Sequence, residues 1–281
     1  MRYYFCYAKL AVITLTLLFI NLQRLLPVTL KNLLVENLVY MNNMIRIIMV
    51  IAFVCTITVT TNAQENSLTQ KEKQDGWKLL FNGENLTGWH SYLEDSAGKA
   101  WQVEDGSIYL NKNEQSVYKD FADLVTDAEF ANFDLKLEFK TDTCANSGVM
   151  FYVHESPEYE NSWETGPEMQ IDEITCGPDH EHLLNRAGTL YDLIAVDSEY
   201  AKPADEWNEY EIKANKGHLQ LYQNGHKVVD TQMWNDAWKK LVAGSKFIDM
   251  PAFGTFHKGH IAFQGTENGK IWFRNIKIKT L

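Results

Sequence analysis

The chain has 281 residues, with 26 Lys and Arg against 37 Asp and Glu and a formal net charge of −11. Residues 1–63 hold five of the basic residues and one of the acidic ones, so the remaining 218 residues carry a net charge of about −15. Such an acidic surface would repel a polyanion, which argues against nucleic acid as a partner. A region of that length is sufficient for one domain with a single core.

The first 63 residues differ from the rest in composition and are predicted to be a leader. Arg46 precedes an apolar stretch, residues 47–59, and the small residues Thr61-Asn62-Ala63 follow it, which is the pattern of a secretory signal peptide. We therefore expect cleavage near Ala63 and a periplasmic or secreted protein. A lipid anchor on Cys55 is disfavoured, because a lipoprotein site prefers a small residue just before the cysteine.

A second apolar run, residues 10–20, is too short to span a bilayer, which takes about 20 residues. Either it is a membrane element, or the protein starts at Met41 or Met44 and a wrong start adds the upstream residues. The second interpretation is favoured, because a signal peptide behind some 40 residues would be poorly placed to direct export. Residues 64–75 are predicted to be a flexible lead-in, and residues 76–281 a single domain without a stable membrane span.

The region after residue 75 alternates apolar and polar residues with a period of two and has few helical stretches, which predicts a mostly β fold. Residues 133–140 show the alternation most clearly, with one dry and one solvent face. Further strands are predicted at residues 147–154, 168–173, 208–214, 260–264 and 270–279. Such a series indicates two packed antiparallel sheets.

Two hairpins and one helix are also predicted. Asp105-Gly106 and Asn224-Gly225 each lie between two alternating runs, and such pairs supply the positive φ values of tight turns. Trp234, Trp238 and Leu241 have helical spacing, which predicts a short helix over residues 234–242 that caps the sandwich.

Cys144 and Cys176 are the two cysteines after residue 63. An oxidising compartment would permit them to pair, but two unrelated thiols are an equal alternative from the sequence. A zinc site is disfavoured, because neither cysteine has a second one at ligand spacing.

A row of polar residues is the main candidate site. If residues 168–173 form a strand, Glu168, Gln170 and Asp172 project from one face while Met169 and Ile171 enter the core. Two carboxylates and an amide can bind sugar hydroxyls, hold a divalent cation such as calcium, or supply a general base. Glu168 and Asp172 are the candidate metal ligands, although no cofactor is firmly indicated. The alternative is an ordinary solvated sheet face.

Strand parity also places Tyr152 and His154 in a second polar row, together with Met150. If the two strands share a sheet, Tyr152 and His154 border the carboxylate row, and His154 could move protons near neutral pH. Trp163, among turn residues beside the row, is a candidate platform for stacking a sugar ring. The alternative for each is an ordinary packed or surface residue.

Residues 77–89 read Trp77-Lys78-Leu79-Leu80-Phe81-Asn82-Gly83-Glu84-Asn85-Leu86-Thr87-Gly88-Trp89. This segment resembles the opening signature of the 3-keto-disaccharide hydrolase family, long catalogued only as a domain of unknown function. Further matches in chain order cover residues 101–106, 146–149, 167–171, 186–193, 207–210, 224–225 and 273–278. Together they span almost the whole region after the leader.

The resemblance implies a concanavalin-like jelly-roll β-sandwich whose concave sheet receives a sugar. It also implies hydrolysis or elimination of glycosides already oxidised at C3, with an oligosaccharide or glycoside as substrate. The C3 ketone acidifies the hydrogen on C2, and the C1 oxygen is then placed to leave from the carbanion. A base on C2 and a cation or hydrogen-bond donor on the enolate would suffice, without the paired carboxylates of ordinary glycosidases.

Carried over by motif, the resemblance implies five site residues, Glu168, Gln170, Arg186, Tyr191 and Gln264, and strand parity adds Asp172 and His154. Asp172 or Glu168 would be the base or a metal ligand. Arg186 and Tyr191 would contact the ketone or hydroxyls, and Gln264 the sugar.

Two departures from the family pattern bear on activity. Members commonly have Gln-Asp-His-Gly before the last strand, where this chain has Gln264-Gly265-Thr266-Glu267-Asn268-Gly269. Relatives often show Leu-Asp after Glu-Met-Gln-Ile, where Asp172-Glu173 follows here. A hydrolase or lyase of 3-keto-glycosides is therefore weighed against a non-catalytic, lectin-like glycan-binding module and a structural role.

Overall fold

The computed structural model describes residues 27–30, 32–33, 36–37, 39–45, 65–110, 123–196, 200–266 and 268–281. The expected signal peptide with Cys55, its cleavage site and the run at residues 10–20 lie outside the described residues. The chain divides into two compact units, residues 1–62 and 63–281. Where the structure describes the chain, no helix is both long and apolar enough to cross a membrane.

The second unit consists of two antiparallel sheets, which confirms the predicted jelly-roll sandwich. The eight-stranded sheet has the order β11-β10-β9-β6-β13-β4-β3, with β1 also paired to β13, and the five-stranded sheet has the order β2-β5-β12-β7-β8. The strands are β1 (Lys78–Leu79), β2 (Trp89–Ser91), β3 (Trp101–Glu104), β4 (Ser107–Leu110), β5 (Leu124–Thr126), β6 (Phe133–Thr141), β7 (Asn146–Val153), β8 (Glu168–Asp172), β9 (Asn208–Asn215), β10 (His218–Gln223), β11 (His226–Gln232), β12 (His260–Phe263) and β13 (Ile271–Thr280).

The strands predicted from alternation are confirmed within one residue at either end. Both hairpins are confirmed as well: Asp105 and Gly106 have φ values of 49° and 71°, and Asn224 and Gly225 of 50° and 80°. Two successive positive φ values define the turn that matches the twist of adjacent antiparallel strands.

The main core fills the space between the sheets with aromatic and aliphatic side chains. Phe263 of the five-stranded sheet stacks on Phe273 of the eight-stranded sheet with ring centroids 4.0 Å apart, and on Trp89 at 4.9 Å. All three side chains are buried. Contacts of this kind fix the distance between the two sheets and make the sandwich a rigid support for surface loops.

Two α-helices are described in the second unit, α1 (Gln70–Gln74) and α2 (Asp236–Ala243), with 3-10 helices at Ser162–Glu164 and Lys246–Asp249. Helix α2 starts two residues later than predicted, because Trp234 has a φ of 69° and Asn235 caps the helix by accepting a hydrogen bond from the Trp238 N–H. The segment expected to be a flexible lead-in contains α1, and Lys277 of β13 forms an ion pair with Glu72 there.

Candidate active site

A cleft of about 140 Å³ lies on the five-stranded sheet. Strands β7 and β8 and the end of β12 supply its floor, and the loop after β8 and the 3-10 helix Lys246–Asp249 supply its walls. The lining residues are Asn146, Trp163, Glu168, Gln170, Asp179, Tyr191, Lys246, Phe247 and Gln264. Five of them, Trp163, Glu168, Gln170, Tyr191 and Gln264, are among the residues that the sequence singles out.

Strand β8 carries the polar row with the expected alternation. Met169 and Ile171 belong to the main core and are fully buried, so Glu168 and Gln170 point away from the core and into the cleft. Asp172 has the same parity but is buried and is not among the cleft-lining residues. Glu168 and Gln170 therefore face the cleft, whereas Asp172 lies behind it.

Asp179, in the loop after β8, is the centre of the hydrogen-bond network. Its Oδ2 accepts hydrogen bonds from Asn146 Nδ2 at 3.4 Å, Gln170 Nε2 at 3.2 Å and Tyr191 Oη at 3.4 Å. These three donors come from β7, β8 and the turn after residue 190, so the carboxylate orientation is set from three directions. Its Oδ1 makes no hydrogen bond to the described residues and stays available to a ligand.

The loop that carries Asp179 is fixed at its base by a disulfide bond between Cys144 and Cys176. The pairing that the sequence left open is thus settled. Beside it the buried Glu173 carboxylate accepts hydrogen bonds from Thr175 Oγ1 and from the backbone N–H of Cys176. Burial acts to raise the pKa of Glu173, but these hydrogen bonds outweigh it and lower that pKa.

Asp172 supports the cleft from behind. Its Oδ1 accepts a hydrogen bond from Asn146 Nδ2 at 3.1 Å, and the same amide nitrogen reaches Asp179. Burial raises the pKa of Asp172 to about 6, although hydrogen bonds from Asn146 and from the Asp179 backbone oppose the rise. Gly177 packs directly on this carboxyl group, since a β-carbon there would lie 2.3 Å from Oδ1. Asp172 therefore positions Asn146 and the Asp179 loop.

Glu168 is the most strongly perturbed acid in the cleft. Burial raises the pKa of Glu168 to about 8, and the nearby carboxylates of Asp123 and Asp179 add to the rise while Lys246 opposes it. At neutral pH this carboxyl group is therefore mainly protonated. Gly148 of β7 makes room for it, because a β-carbon at Gly148 would lie 1.6 Å from Glu168 Oε1.

Several acceptor atoms in the cleft are buried without a hydrogen-bond partner. They are Glu168 Oε1, Gln170 Oε1 and Gln264 Oε1. Because a buried acceptor without a partner costs free energy, such atoms indicate a place where a ligand supplies the donors. Sugar hydroxyls are donors of this kind.

Residues 76–279 match the family described as a 3-keto-alpha-glucoside-1,2-lyase-like domain.

The chain belongs to this 3-keto-α-glucoside-1,2-lyase-like family.

Among relatives in the family, the chain is 30% identical over 242 residues to a 3-keto-disaccharide hydrolase from Bacteroides thetaiotaomicron, covering 78% of this chain and 83% of the relative. Its fold matches a solved structure of a candidate glycosyl hydrolase from Parabacteroides distasonis with a TM-score of 0.71 at 31% identity, over 78% of this chain and all of the other. A second such structure from the same organism matches with a TM-score of 0.54 at 27% identity, over 73% and 99%.

Tyr152, which strand parity predicted to border the carboxylate row, lies outside the cleft. A bulge in β7, where Val153 pairs with His260 but Met150 pairs with Ala262, breaks the alternation. Tyr152 has a φ of 57° and turns into the main core, fully buried, with its hydroxyl donating to Ala131 O at 2.7 Å. The expected row of Met150, Tyr152 and His154 is therefore wrong, and Tyr152 does not reach the cleft.

His154 and Arg186 are also not among the cleft-lining residues. The His154 ring stacks on Phe256 with centroids 4.1 Å apart, and its backbone N–H donates to Thr165 Oγ1. Arg186 is half-buried in the loop before residue 190. Neither side chain therefore lines the cleft beside Glu168 and Asp179.

Sequence reasoning missed Asn146, Asp179, Lys246 and Phe247. Asn146 stood inside one of the matched family motifs, so that motif held a signal for it. Asp179 lies in a loop, and Lys246 and Phe247 begin a short 3-10 helix, where no periodicity predicts which residues meet.

A metal site on Glu168 and Asp172 finds no support in the geometry of the described residues. Among them, no group of three or more His, Cys, Asp or Glu side chains is arranged so that it could hold a metal ion.

Proposed function

We propose that the protein cleaves the glycosidic bond of 3-keto-α-glucosides, disaccharides included, by removing the proton from C2. Family membership and the name of the Bacteroides relative support the substrate class. The observation that carries the proposal is the presence in one cleft of two carboxyl groups in different surroundings: Glu168, whose buried Oε1 has no hydrogen-bond partner among the described residues, and Asp179, whose Oδ2 accepts three hydrogen bonds. Two carboxyl groups in such different surroundings can share acid and base roles.

The substrate explains why this arrangement suffices. A ketone at C3 makes the C2–H bond acidic, and loss of that proton gives an enolate. The electron pair then forms the C1=C2 double bond while the bond between C1 and the glycosidic oxygen breaks. A base near C2 and an acid near the leaving oxygen are the groups such an elimination requires.

Asp179 is the base in this scheme. Its Oδ2 is held by Asn146, Gln170 and Tyr191, which leaves Oδ1 to accept the C2 proton. Holding one oxygen in place orients the other, and such orientation lowers the entropic part of the barrier. Asp172, which the sequence made a candidate base, takes a positioning role here because it lies behind Asn146.

Glu168 is the acid. With a pKa near 8 it keeps its proton at neutral pH and can give it to the leaving oxygen as the C1–O bond breaks. The resulting carboxylate can then accept a proton from water that adds to C1, while Asp179 returns its proton to C2. Elimination followed by this addition equals hydrolysis, and release of the unsaturated sugar before water adds equals a lyase reaction.

The remaining lining residues bind the sugar. The free acceptors Gln170 Oε1 and Gln264 Oε1 take hydrogen bonds from hydroxyl groups, and Trp163 offers an aromatic face to the ring. Phe247 adds apolar surface to the lining of the cleft.

Export belongs to the same proposal. The Cys144–Cys176 disulfide is of a kind that persists in oxidising compartments, and residues 44–63 have the pattern of a signal peptide. Sequencing the N-terminus of the protein recovered from the periplasm or medium tests this, with Gln64 expected as the first residue. A first residue upstream of Met41 would contradict it.

The test of function is turnover of 3-keto-trehalose followed by NMR. The wild-type protein should release 3-ketoglucose or its unsaturated precursor, and Asp179→Asn should lower kcat/KM by about 10³-fold, within the range seen for loss of a general base. Asp236→Asn, at an exposed position on α2, is the matched control and should retain full activity.

The alternative outcome is binding without turnover. If the wild-type protein binds the sugar but releases nothing from any 3-keto-glycoside, the glycan-binding module remains and the enzymatic proposal fails. Equal turnover by wild type and Asp179→Asn would instead remove Asp179 from the base role.

A further inference from the structure

Lys246 places a positive charge at the rim of the cleft. Its Nζ lies 4.0 Å from the centroid of the Tyr191 ring and 5.2 Å from that of Phe247. The Lys246 backbone N–H donates to Asp192 Oδ2 at 2.7 Å, which fixes the start of the 3-10 helix next to Tyr191. Lysine stacked over an aromatic ring is held in one region of space without losing its hydrogen-bond donors.

The other donors near Asp179 are already engaged. The Asn146 and Gln170 amide nitrogens and the Tyr191 hydroxyl all donate to the Asp179 carboxylate. Lys246, by contrast, has no carboxylate oxygen within 4 Å among the described residues. Its three N–H donors therefore remain available to a ligand.

Tyr191 links this cation to the proposed base. The ring face of Tyr191 contacts Lys246 Nζ, and its hydroxyl donates to Asp179 Oδ2. The base at the hydroxyl of Tyr191 and the cation over its ring face line the same cleft, so both can reach neighbouring atoms of one substrate. In a 3-keto-glucoside, the C2 hydrogen and the C3 oxygen are borne by adjacent carbon atoms.

We propose that Lys246 is a further catalytic residue that donates a hydrogen bond to the C3 oxygen of the substrate as the enolate forms. This inference rests on the proposed function and adds the group that stabilises the negative charge.

The step balances without a further reactant. The C2–H bond breaks and its proton goes to Asp179. Its electron pair forms a C2=C3 double bond, and the π pair of the carbonyl moves to the C3 oxygen, beside the ammonium group. When that pair re-forms the C3=O bond, the C2=C3 pair moves to form the C1=C2 double bond and the bond from C1 to the leaving oxygen breaks. The leaving oxygen takes a proton from Glu168. Lys246 keeps its own proton throughout and acts by charge and hydrogen bonding.

A consequence is selectivity for the oxidised sugar. An unoxidised glucoside has a hydroxyl at C3 and develops no charge there, so the ammonium group gains nothing from it during reaction. Lys246 should therefore affect turnover more than binding of the ground state, because its interaction strengthens only in the transition state.

The experiment separates proton removal from bond cleavage. The 1-deoxy analogue of 3-ketoglucose has no leaving group on C1, so exchange of its C2 hydrogen in D2O, followed by NMR, reports enolate formation alone. Lys246→Met should slow this exchange, and turnover of 3-keto-trehalose, by about 10²-fold to 10³-fold, the loss typical for one oxyanion donor. Lys246→Arg, which keeps the charge, should recover part of the rate.

Two further measurements act as controls. The Lys240→Met variant, changed at an exposed lysine on α2, should catalyse exchange of the C2 hydrogen at the wild-type rate. The dissociation constant for unoxidised trehalose should be the same for Lys246→Met and wild type. If Lys246→Met melts at a lower temperature than wild type, the same exchange and turnover measurements are made on Lys246→Gln.

The outcomes are distinguishable. Wild-type protein that neither exchanges nor cleaves contradicts the proposed function itself. Wild-type protein that does both, with Lys246→Met equally fast, leaves the function standing and overturns the role of Lys246. A variant that only raises KM, with kcat unchanged, also overturns it, because that pattern shows ground-state binding.

Discussion

The cleft and the outer face of the eight-stranded sheet are both rich in charged residues, but they differ in how those charges are paired. On the outer face, Arg274 Nε donates to Glu138 Oε2 at 2.8 Å, and Asn275 Nδ2 donates to Glu138 Oε1 at 2.9 Å. In the cleft, Glu168 Oε1 is buried without a hydrogen-bond partner among the described residues, and the Lys246 ammonium lies over the Tyr191 ring.

The outer face therefore mainly stabilises the fold, whereas the cleft is arranged to bind a ligand. Paired charges on a partly solvated sheet satisfy each other and add modestly to stability. Buried, unpaired groups cost free energy unless a ligand completes them, so they mark the places where the fold tolerates a cost for function. The three predictions that follow change one group on either side of this comparison.

Of these three changes, Gly148→Ala should have the largest effect. A β-carbon at this position would lie 1.6 Å from Glu168 Oε1 and must displace the carboxyl group from the cleft. We expect kcat/KM on 3-keto-trehalose to fall by at least about 10²-fold, the contribution of a positioned acid. Gly244→Ala, where the nearest atom is 3.5 Å from the new β-carbon, is the matched control. If Gly148→Ala retained wild-type activity, catalysis would not depend on the position of the Glu168 carboxyl group in the cleft.

Glu168→Gln should change how stability depends on pH. Burial raises the pKa of Glu168 in the folded protein to about 8, above its ordinary value of 4.5. The stability that this carboxyl group contributes is therefore fully present below pH 4.5 and is lost as pH rises toward 8. Glutamine resembles the neutral acid and does not titrate. The variant should therefore match wild type near pH 4 and exceed its free energy of unfolding at pH 9 by up to roughly 5 kcal/mol.

Denaturant unfolding at several pH values measures this difference. A constant offset between the two proteins from pH 4 to pH 9 would mean that Glu168 titrates normally. Loss of wild-type activity above about pH 8 should accompany the stability change, because the acid is then ionised.

The smallest effect should come from the outer face. Glu138→Gln removes the charge that pairs with Arg274 while keeping a side chain that can still accept hydrogen bonds. We expect a loss of less than about 1 kcal/mol in the free energy of unfolding and no change in kcat/KM. A large loss of activity in Glu138→Gln would show that the outer face takes part in catalysis, which would contradict the difference drawn between this face and the cleft.

The sequence predicted the regular part of this picture well, for physical reasons. Alternation located β6 and β8, and Asn224-Gly225 located a hairpin, because side-chain period and positive φ are local properties. The inward and outward assignment of Glu168 and Gln170 followed from the same period.

The remaining site residues depended on tertiary structure. One bulge in β7 turned Tyr152 into the core and made parity fail there. Asp179 comes from a loop and Lys246 from a short 3-10 helix far along the chain, and the Cys144–Cys176 bridge and the Asp192 contact help to hold these segments at the cleft. No periodic pattern encodes such a meeting.

The central claim is that the bond breaks through loss of the C2 proton. Turnover of 3-keto-trehalose carrying deuterium at C2 of the oxidised ring tests it most directly, by comparing kcat/KM with the unlabelled sugar. We expect a clear primary isotope effect in wild type, with solvent hydrogen at C2 of released 3-ketoglucose or no hydrogen at C2 of a released unsaturated sugar. Equal rates for both sugars, with deuterium fully retained at C2, would contradict it.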